Sequence, residues 1–256
     1  MNRNDPAVSD ETVSRALGAY AGMVHRVLSD PGRWLGLDDD PPPSARFPAR
    51  ALDAIRDRAF GEVTPAAPAW AEQPMQKRVD WWVRRIGISA GLAAAAPRFA
   101  GALADRLPLQ AALGASAAGL AVCATAREHG LTAAEQWVPL LAKVLLGREF
   151  APRPVPVPPP SAADDLLDAE DEVSEEEQDE VGRAATLGRG AQRAVKTVWH
   201  LARAFWELQN MLDERPRGHL LARGIAKIPI VGIAGGWLDE RGGIAKAARQ
   251  TARLIA

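Results

Sequence analysis

The chain has a single cysteine, Cys123, so no disulfide can form within it, and a reducing compartment is its simplest setting. It carries almost no net charge, −1 over 256 residues. That removes any bulk field able to recruit nucleic acid or anionic lipid, and no nucleic-acid partner is expected. The first residues, MNRNDPAVSDETVSRALG, hold no basic patch followed by an apolar run, so no secretory leader is read there. Alternating runs of β-branched and aromatic residues are almost absent, which argues against a sheet-based fold. Neither G-x-x-x-x-G-K-[ST] nor G-x-G-x-x-G occurs, which leaves no nucleotide-binding loop. The four histidines, His25, His129, His200 and His219, have no partner at metal-ligand spacing. No metal site and no cofactor are expected.

Helical periodicity is abundant. Val13, Leu17, Tyr20, Val24 and Val27/Leu28 recur at three- and four-residue steps after Ser9 or Asp10 as N-cap. A short helix is expected over residues 49–60, with Leu52, Ile55 and Phe60 inward, and Pro65, Pro68 and Pro74 make the next stretch irregular. A helix should run from Met75 to about Ala96, where Pro97 ends it. A long helix should cover Leu109–Glu128 and stop at Gly130. Thr132 to Glu135, TAAE, reads as a capping box, and the helix it opens contains Pro139, which predicts a kink or a late start. Residues 184–213 read as another helix, with Val195, Val198, Ala202, Phe205 and Leu208 on one face. Two or three short helices should finish the chain. The expected fold class is all-α, a helical bundle with small-residue-rich helices and a disordered tether.

The tether is read from composition. Residues 152–160, PRPVPVPPP, predict an extended polyproline spacer. Residues 151–181 hold eleven Asp/Glu against one Arg, a block with too little apolar surface to order itself. Residues 182–256 reverse the balance, with thirteen Lys/Arg against five Asp/Glu. The expected organisation is therefore N-terminal helices and proline-rich loops over 1–74, central helices over 75–150, a flexible tether over 151–181, and C-terminal helices over 182–256 that pack on the central region.

Three apolar segments raise the question of lipid. Residues 86–97 are uncharged but short. Residues 107–126 are uncharged for twenty positions, the length that spans hydrocarbon, yet ten of the twenty are Ala or Gly, which contribute little transfer energy. Residues 228–238 reach only about 16 Å as a helix, roughly half the hydrocarbon thickness, so they are expected to pack on protein. Gly87/Gly91 and Gly232/Gly236 have G-x-x-x-G spacing, which lets helices approach closely; the second pair is expected to meet the Leu109–Glu128 helix. In QKRVDWWVRR, Trp81 and Trp82 among Arg84 and Arg85 form a candidate membrane interface, indoles at headgroup depth and cations outward. The competing reading is a core helix with solvated arginines.

Residues 87–91, GISAG, match the G-x-S-x-G nucleophile elbow, which makes Ser89 a candidate catalytic serine. That motif works by placing serine on a strand-to-helix turn. No strand is predicted before it, so no catalytic residue is assigned.

The segments LPLQAALGASAAGLAVCATAREHGLTAAEQWVPLLAKVLLGRE and LLARGIAKIPIVGIAGGWLDERGGIAKAAR resemble the EcsC-like proteins of bacteria. In that family an Ala/Gly-rich helix leads to an A-x-x-x-G helix end, a capped helix and an LLG ending, and a later iPxvGxxxG core follows. The resemblance covers about residues 86–149 and 220–249. It implies a helical, membrane-associated protein with no catalytic residue to carry over. The expected function is therefore non-enzymatic, peripheral to a membrane or scaffolding, with a membrane surface or a membrane protein as partner. The expected location is the cytoplasm, at the inner face of the cell membrane. A serine hydrolase using Ser89 and a soluble partner-binding bundle are the alternatives.

Overall fold

In a computed structural model of the protein, the residues described are 9–35, 63–65, 67–95, 109–149, 157–168, 189–213 and 237–256. No strand occurs among them, and the fold is all-α. Its organising element is a helix with no charge until its last two residues. Helix α1 spans Asp10–Ser29, α2 Pro31–Leu35, α3 Met75–Ala95 and α4 Leu109–Glu128. Helix α5 is Ala134–Leu141, α6 Pro160–Asp168, α7 Arg189–Asp213 and α8 Trp237–Ile255. An apolar helix without a polar face must be covered on every side. α3, α7, α8, α5 and α1 all pack on α4, and its residues from Ala115 to Ala126 are buried throughout. Protein, not lipid, covers the uncharged segment 107–126 where it is described. No helix among the described residues is long and apolar enough to cross a membrane.

Local chemistry sets the helix ends. The Ser9 hydroxyl accepts from the Thr12 N–H at 3.2 Å and caps α1, satisfying one of the first-turn donors. α4 ends at Gly130, whose φ of 92° is open to glycine. The box expected at Thr132 and Glu135 forms one residue later and only in half. Ala133 is the N-cap, and its N–H donates to Gln136 Oε1 at 3.1 Å. Alanine has no oxygen to return the bond. Pro139, sixth in α5, can give no bond to the Glu135 carbonyl, and the helix widens into a π-turn over Ala142–Leu146. That turn closes at Gly147 with φ 64°, and the Arg148 N–H returns to Ala142 O at 3.1 Å, the wrapped end expected of a left-handed residue.

The apolar stripe of α1 lies inward as expected: Val13, Leu17, Tyr20, Val24, Val27 and Leu28 are all buried. α1 is not part of a separate N-terminal unit, however. It packs on α5, α6, α7 and α4 and shares one core with them. The C-terminal region also differs from the short helices expected, because α8 is continuous for 19 residues. It packs on α4 through a face that includes the buried Ile244, Ala247 and Ala248. Gly232, Gly236 and the rest of residues 228–236 lie outside the described residues, as does the helix expected over 49–60.

The 151–181 tether expectation is corrected over residues 157–168. Residues 157–168 are packed, and Pro160 begins α6 at a position where its missing N–H costs nothing. Ala163 and Leu167 are buried on the core side. The rest of that segment, 151–156 and 169–181, lies outside the described residues.

α2 shows how short pieces are held. The last carbonyls of a five-residue helix have no partner within it. Thr197 Oγ1 on α7 donates to Trp34 O at 2.7 Å, and Arg85 Nη2 on α3 donates to Leu35 O at 2.7 Å. Two helices distant in sequence thus cap a third.

Candidate functional site: the charged junction at the end of the central helix

A gathering of charged and titratable groups lies where α4 ends. After eighteen uncharged positions come Arg127 and Glu128, and each reaches a different helix. Glu128, with 9% of its side chain exposed, accepts from Trp82 Nε1 at 2.9 Å and from Arg78 Nε at 2.5 Å, both on α3. Arg78 Nη1 also donates to Gln73 O at 2.6 Å, which ties in the turn before α3. Arg127 donates to the Leu28 carbonyl at the end of α1. Burial pulls its guanidinium pKa below the ordinary value, with Glu128 opposing.

His25 of α1 lies near enough to Arg127 to feel its charge. Its ring lies 5.6 Å from that of Trp137 on α5. Burial lowers its pKa first, and Arg127 and Arg26 lower it further, against Glu135 and a bond to the Thr132 backbone. The imidazole is therefore neutral at neutral pH. A carboxylate, a guanidinium and a neutral imidazole are the materials of acid–base chemistry. Here both Glu128 oxygens and the Arg127 head are engaged by the protein's own helices, so the arrangement acts as a three-way lock among α1, α3 and α4.

The candidate membrane interface is corrected by the same geometry. Trp81 and Trp82 are 4% and 1% exposed, and Arg85 is 5% exposed, so none of the three can reach a headgroup from this fold. Trp70, Trp81 and Trp82 stack edge to face with centroids 5.0 to 6.4 Å apart. The Trp82 indole N–H finds its acceptor inside, in Glu128. An indole satisfied internally has no reason to seek an interface. Arg84 is exposed, and its Nε donates to Asp80 O one turn back. The RVDWWVRR pattern suits a core helix as well as an interfacial one, and the competing core reading holds for its tryptophans.

Ser89 lies inside α3, not on a turn following a strand, so the mechanical requirement of the nucleophile elbow is unmet. It is seven residues beyond Trp82, about 10 Å along the axis from the junction at 1.5 Å per residue. Gly87 is buried on the same helix, and Gly91 lies one turn further along. Cys123 is fully buried, and burial pushes its thiol well above the ordinary range, which keeps it protonated and unreactive. Among the described residues no group of three or more His, Cys, Asp or Glu could hold a metal ion.

Sequence reasoning placed Arg127 and Glu128 in the last turn of a helix but gave them no role. The available signal was an abrupt one: a helix apolar all round, ended by an adjacent pair of opposite charges. In comparisons with protein-family models, curated proteins and solved structures, nothing matches the chain.

Proposed function

We propose that the chain is a non-enzymatic helical protein of EcsC-like character that works by holding partners, as a scaffold or at the periphery of a membrane. The observation that carries this reading is the use made of buried polar groups. Glu128, Arg127, Arg85 and Thr197 each bind a group on another helix, so these four polar side chains serve to tie helices together. Scaffolding is favoured over lipid contact because Trp81, Trp82 and the apolar α4 are covered by protein. The resemblance supplies the membrane side of the proposal, with the inner face of the cell membrane as the location. Its motif glycines have a physical reason here: Gly130 and Gly147, the A-x-x-x-G and LLG glycines, both adopt positive φ.

Fractionation of cells expressing the protein tests this reading. Recovery in the soluble or salt-washable pool together with a co-purifying protein is expected. A requirement for detergent would overturn the peripheral assignment. The hydrolase alternative is tested separately with a fluorophosphonate probe, for which no labelling that depends on Ser89 is expected.

A further inference from the structure

The outward face of α8 carries cations that nothing among the described residues uses. Lys246, Arg249 and Arg253 are all exposed. At 3.6 residues per turn they fall within about 60° of one another, on a line about 10 Å long. The opposite side of the helix holds the buried Ile244, Ala247, Ala248 and Thr251, and α8 packs on α4 and α3. The stripe is therefore held on a fixed support and faces away from the core. No Asp or Glu occurs between Arg241 and Ala256, and none of the three cations forms an ion pair among the described residues. Elsewhere on the surface cations meet carboxylates, Arg15 with Glu11 and Lys143 with Glu149.

Helix stability does not explain the stripe. Lys246 and Arg249 are three apart, Arg249 and Arg253 four apart, and like charges at those spacings repel. The helix dipole favours a cation in the last turn, Arg253, but fades before the other two. The residues beside the stripe are small, Ala245, Ala252 and Ala256, with no ring on which a base could stack. Parallel cations on a convex helix suit a broad anionic plane, where each gains separately and no fixed pairing is needed. Leu254 supplies an apolar part: it follows Arg253 and is 46% exposed. Cations beside an exposed apolar side chain match headgroups and acyl chains together. The charge of the whole chain, −1, exerts no long-range pull, so such a contact is local and orients the molecule by this one face.

We infer that the outer face of α8, formed by Lys246, Arg249, Arg253 and Leu254, is a docking surface for an anionic lipid bilayer. The inference rests on the proposed reading in one respect, that the chain works at the periphery of a membrane. Each cation near an anionic surface is worth roughly fivefold in affinity, so the three together give on the order of a hundredfold. Binding of that kind is reversible and is weakened by salt, which screens exposed charges.

The probe is a vesicle of phosphatidylglycerol and phosphatidylcholine in equal parts, titrated with the full-length protein and read by co-sedimentation. Binding is expected to these vesicles and not to pure phosphatidylcholine. Replacing Lys246, Arg249 and Arg253 by Glu should weaken it at least a hundredfold, on the scale of the three cations. The same charge change at the exposed Arg15, Lys77 and Lys196 should cost less than a tenth as much. The single substitutions, each expected to cost about fivefold, carry the test if the triple variant fails to fold. Leu254→Ser should weaken binding roughly fivefold, the worth of half a leucine side chain. No binding to the mixed vesicles at low salt would overturn the proposal, as would equal binding to pure phosphatidylcholine or an equal loss in the control triple. No change in Leu254→Ser, or equal binding to duplex DNA at the same phosphate concentration, would also overturn it, since the stripe would then be a site for polyanions in general. A protein that co-purifies with the chain while vesicle binding fails removes this surface and leaves the scaffolding reading. A requirement for detergent on fractionation removes the peripheral reading itself, so the two failures are distinguishable.

Discussion

The phenol of Tyr20 lies where a side chain at Gly119 would have to be. A Cβ built on Gly119 stands 2.7 Å from the Tyr20 oxygen, and the hydroxyl is held there by its bond to Ser116 O at 2.6 Å. Tyr20 is 1% exposed and also meets Phe205 edge to face at 5.7 Å, so the ring has little room to yield. Gly119→Ala is expected to destabilise by about 1–3 kcal/mol, the usual cost of overpacking, seen as a fall in Tm. Tyr20→Phe alone should cost about 1 kcal/mol for the lost bond. Combined with Gly119→Ala it should cost less than the sum, because the nearest clashing atom has gone. Strict additivity in the double-mutant cycle would mean that the two residues do not contest the same space.

What could be read from the sequence follows the range of each signal. The bounds of α4, Leu109–Glu128, and the buried stripe of α1 were readable because helix periodicity and end signals are local. The all-α class followed from the same source. The locks were not readable, since Trp82 and Glu128 are 46 residues apart and Arg26 and Asp164 are 138 apart, and no local pattern names such partners. The tryptophans next to arginines misled because indoles and cations recur in cores and at interfaces alike, and only the position of Glu128 decides between them. The acidic block hid α6 for a different reason: composition averages over the segment, whereas Ala163, Asp164 and Leu167 work through their placement on one turn.

Glu128 is expected to be the most sensitive charged position. Glu128→Ala leaves the Trp82 indole N–H without its acceptor inside the core and removes the carboxylate that faces Arg78. A loss of about 2–4 kcal/mol is expected, since removing one member of a buried pair strands the other. Glu128→Gln keeps an acceptor oxygen for the indole but loses the charge, and should cost roughly half as much. Urea unfolding of the two variants checks the order. Equal losses would assign the whole effect to charge.

His25 should make stability depend on pH. Its pKa is lowered from the ordinary 6.5 by burial and by Arg127 and Arg26. In the unfolded chain it returns to the ordinary value and binds its proton first as pH falls. A depressed pKa therefore gives a contribution fully present above pH 6.5 and lost progressively as pH drops towards the folded-state value. Tm should fall across that window, and His25→Gln should reduce the slope there. An unchanged slope in the variant would transfer the effect to other titrating groups.

Thr197 offers the sharpest test of how α2 is held. Its hydroxyl donates to Trp34 O across 163 residues of sequence and is buried, with the residue 3% exposed. Valine has nearly the same shape, so Thr197→Val removes the donor without opening a cavity. The Trp34 carbonyl then has no side-chain cap at the end of a five-residue helix that cannot supply one itself. The expected loss is about 1 kcal/mol, rising towards about 3 if water cannot reach the carbonyl, which for a chain of this size lowers Tm by roughly 2–4 °C per kcal/mol. Thr197→Ser keeps the hydroxyl and should recover part of the loss. The neighbouring Leu35 carbonyl keeps its bond from Arg85 in every case, so α2 should remain docked. If α2 instead detaches, Trp34 leaves the core and hydrogen exchange accelerates over residues 31–35. That outcome would show that the threonine, and not the arginine, anchors the helix.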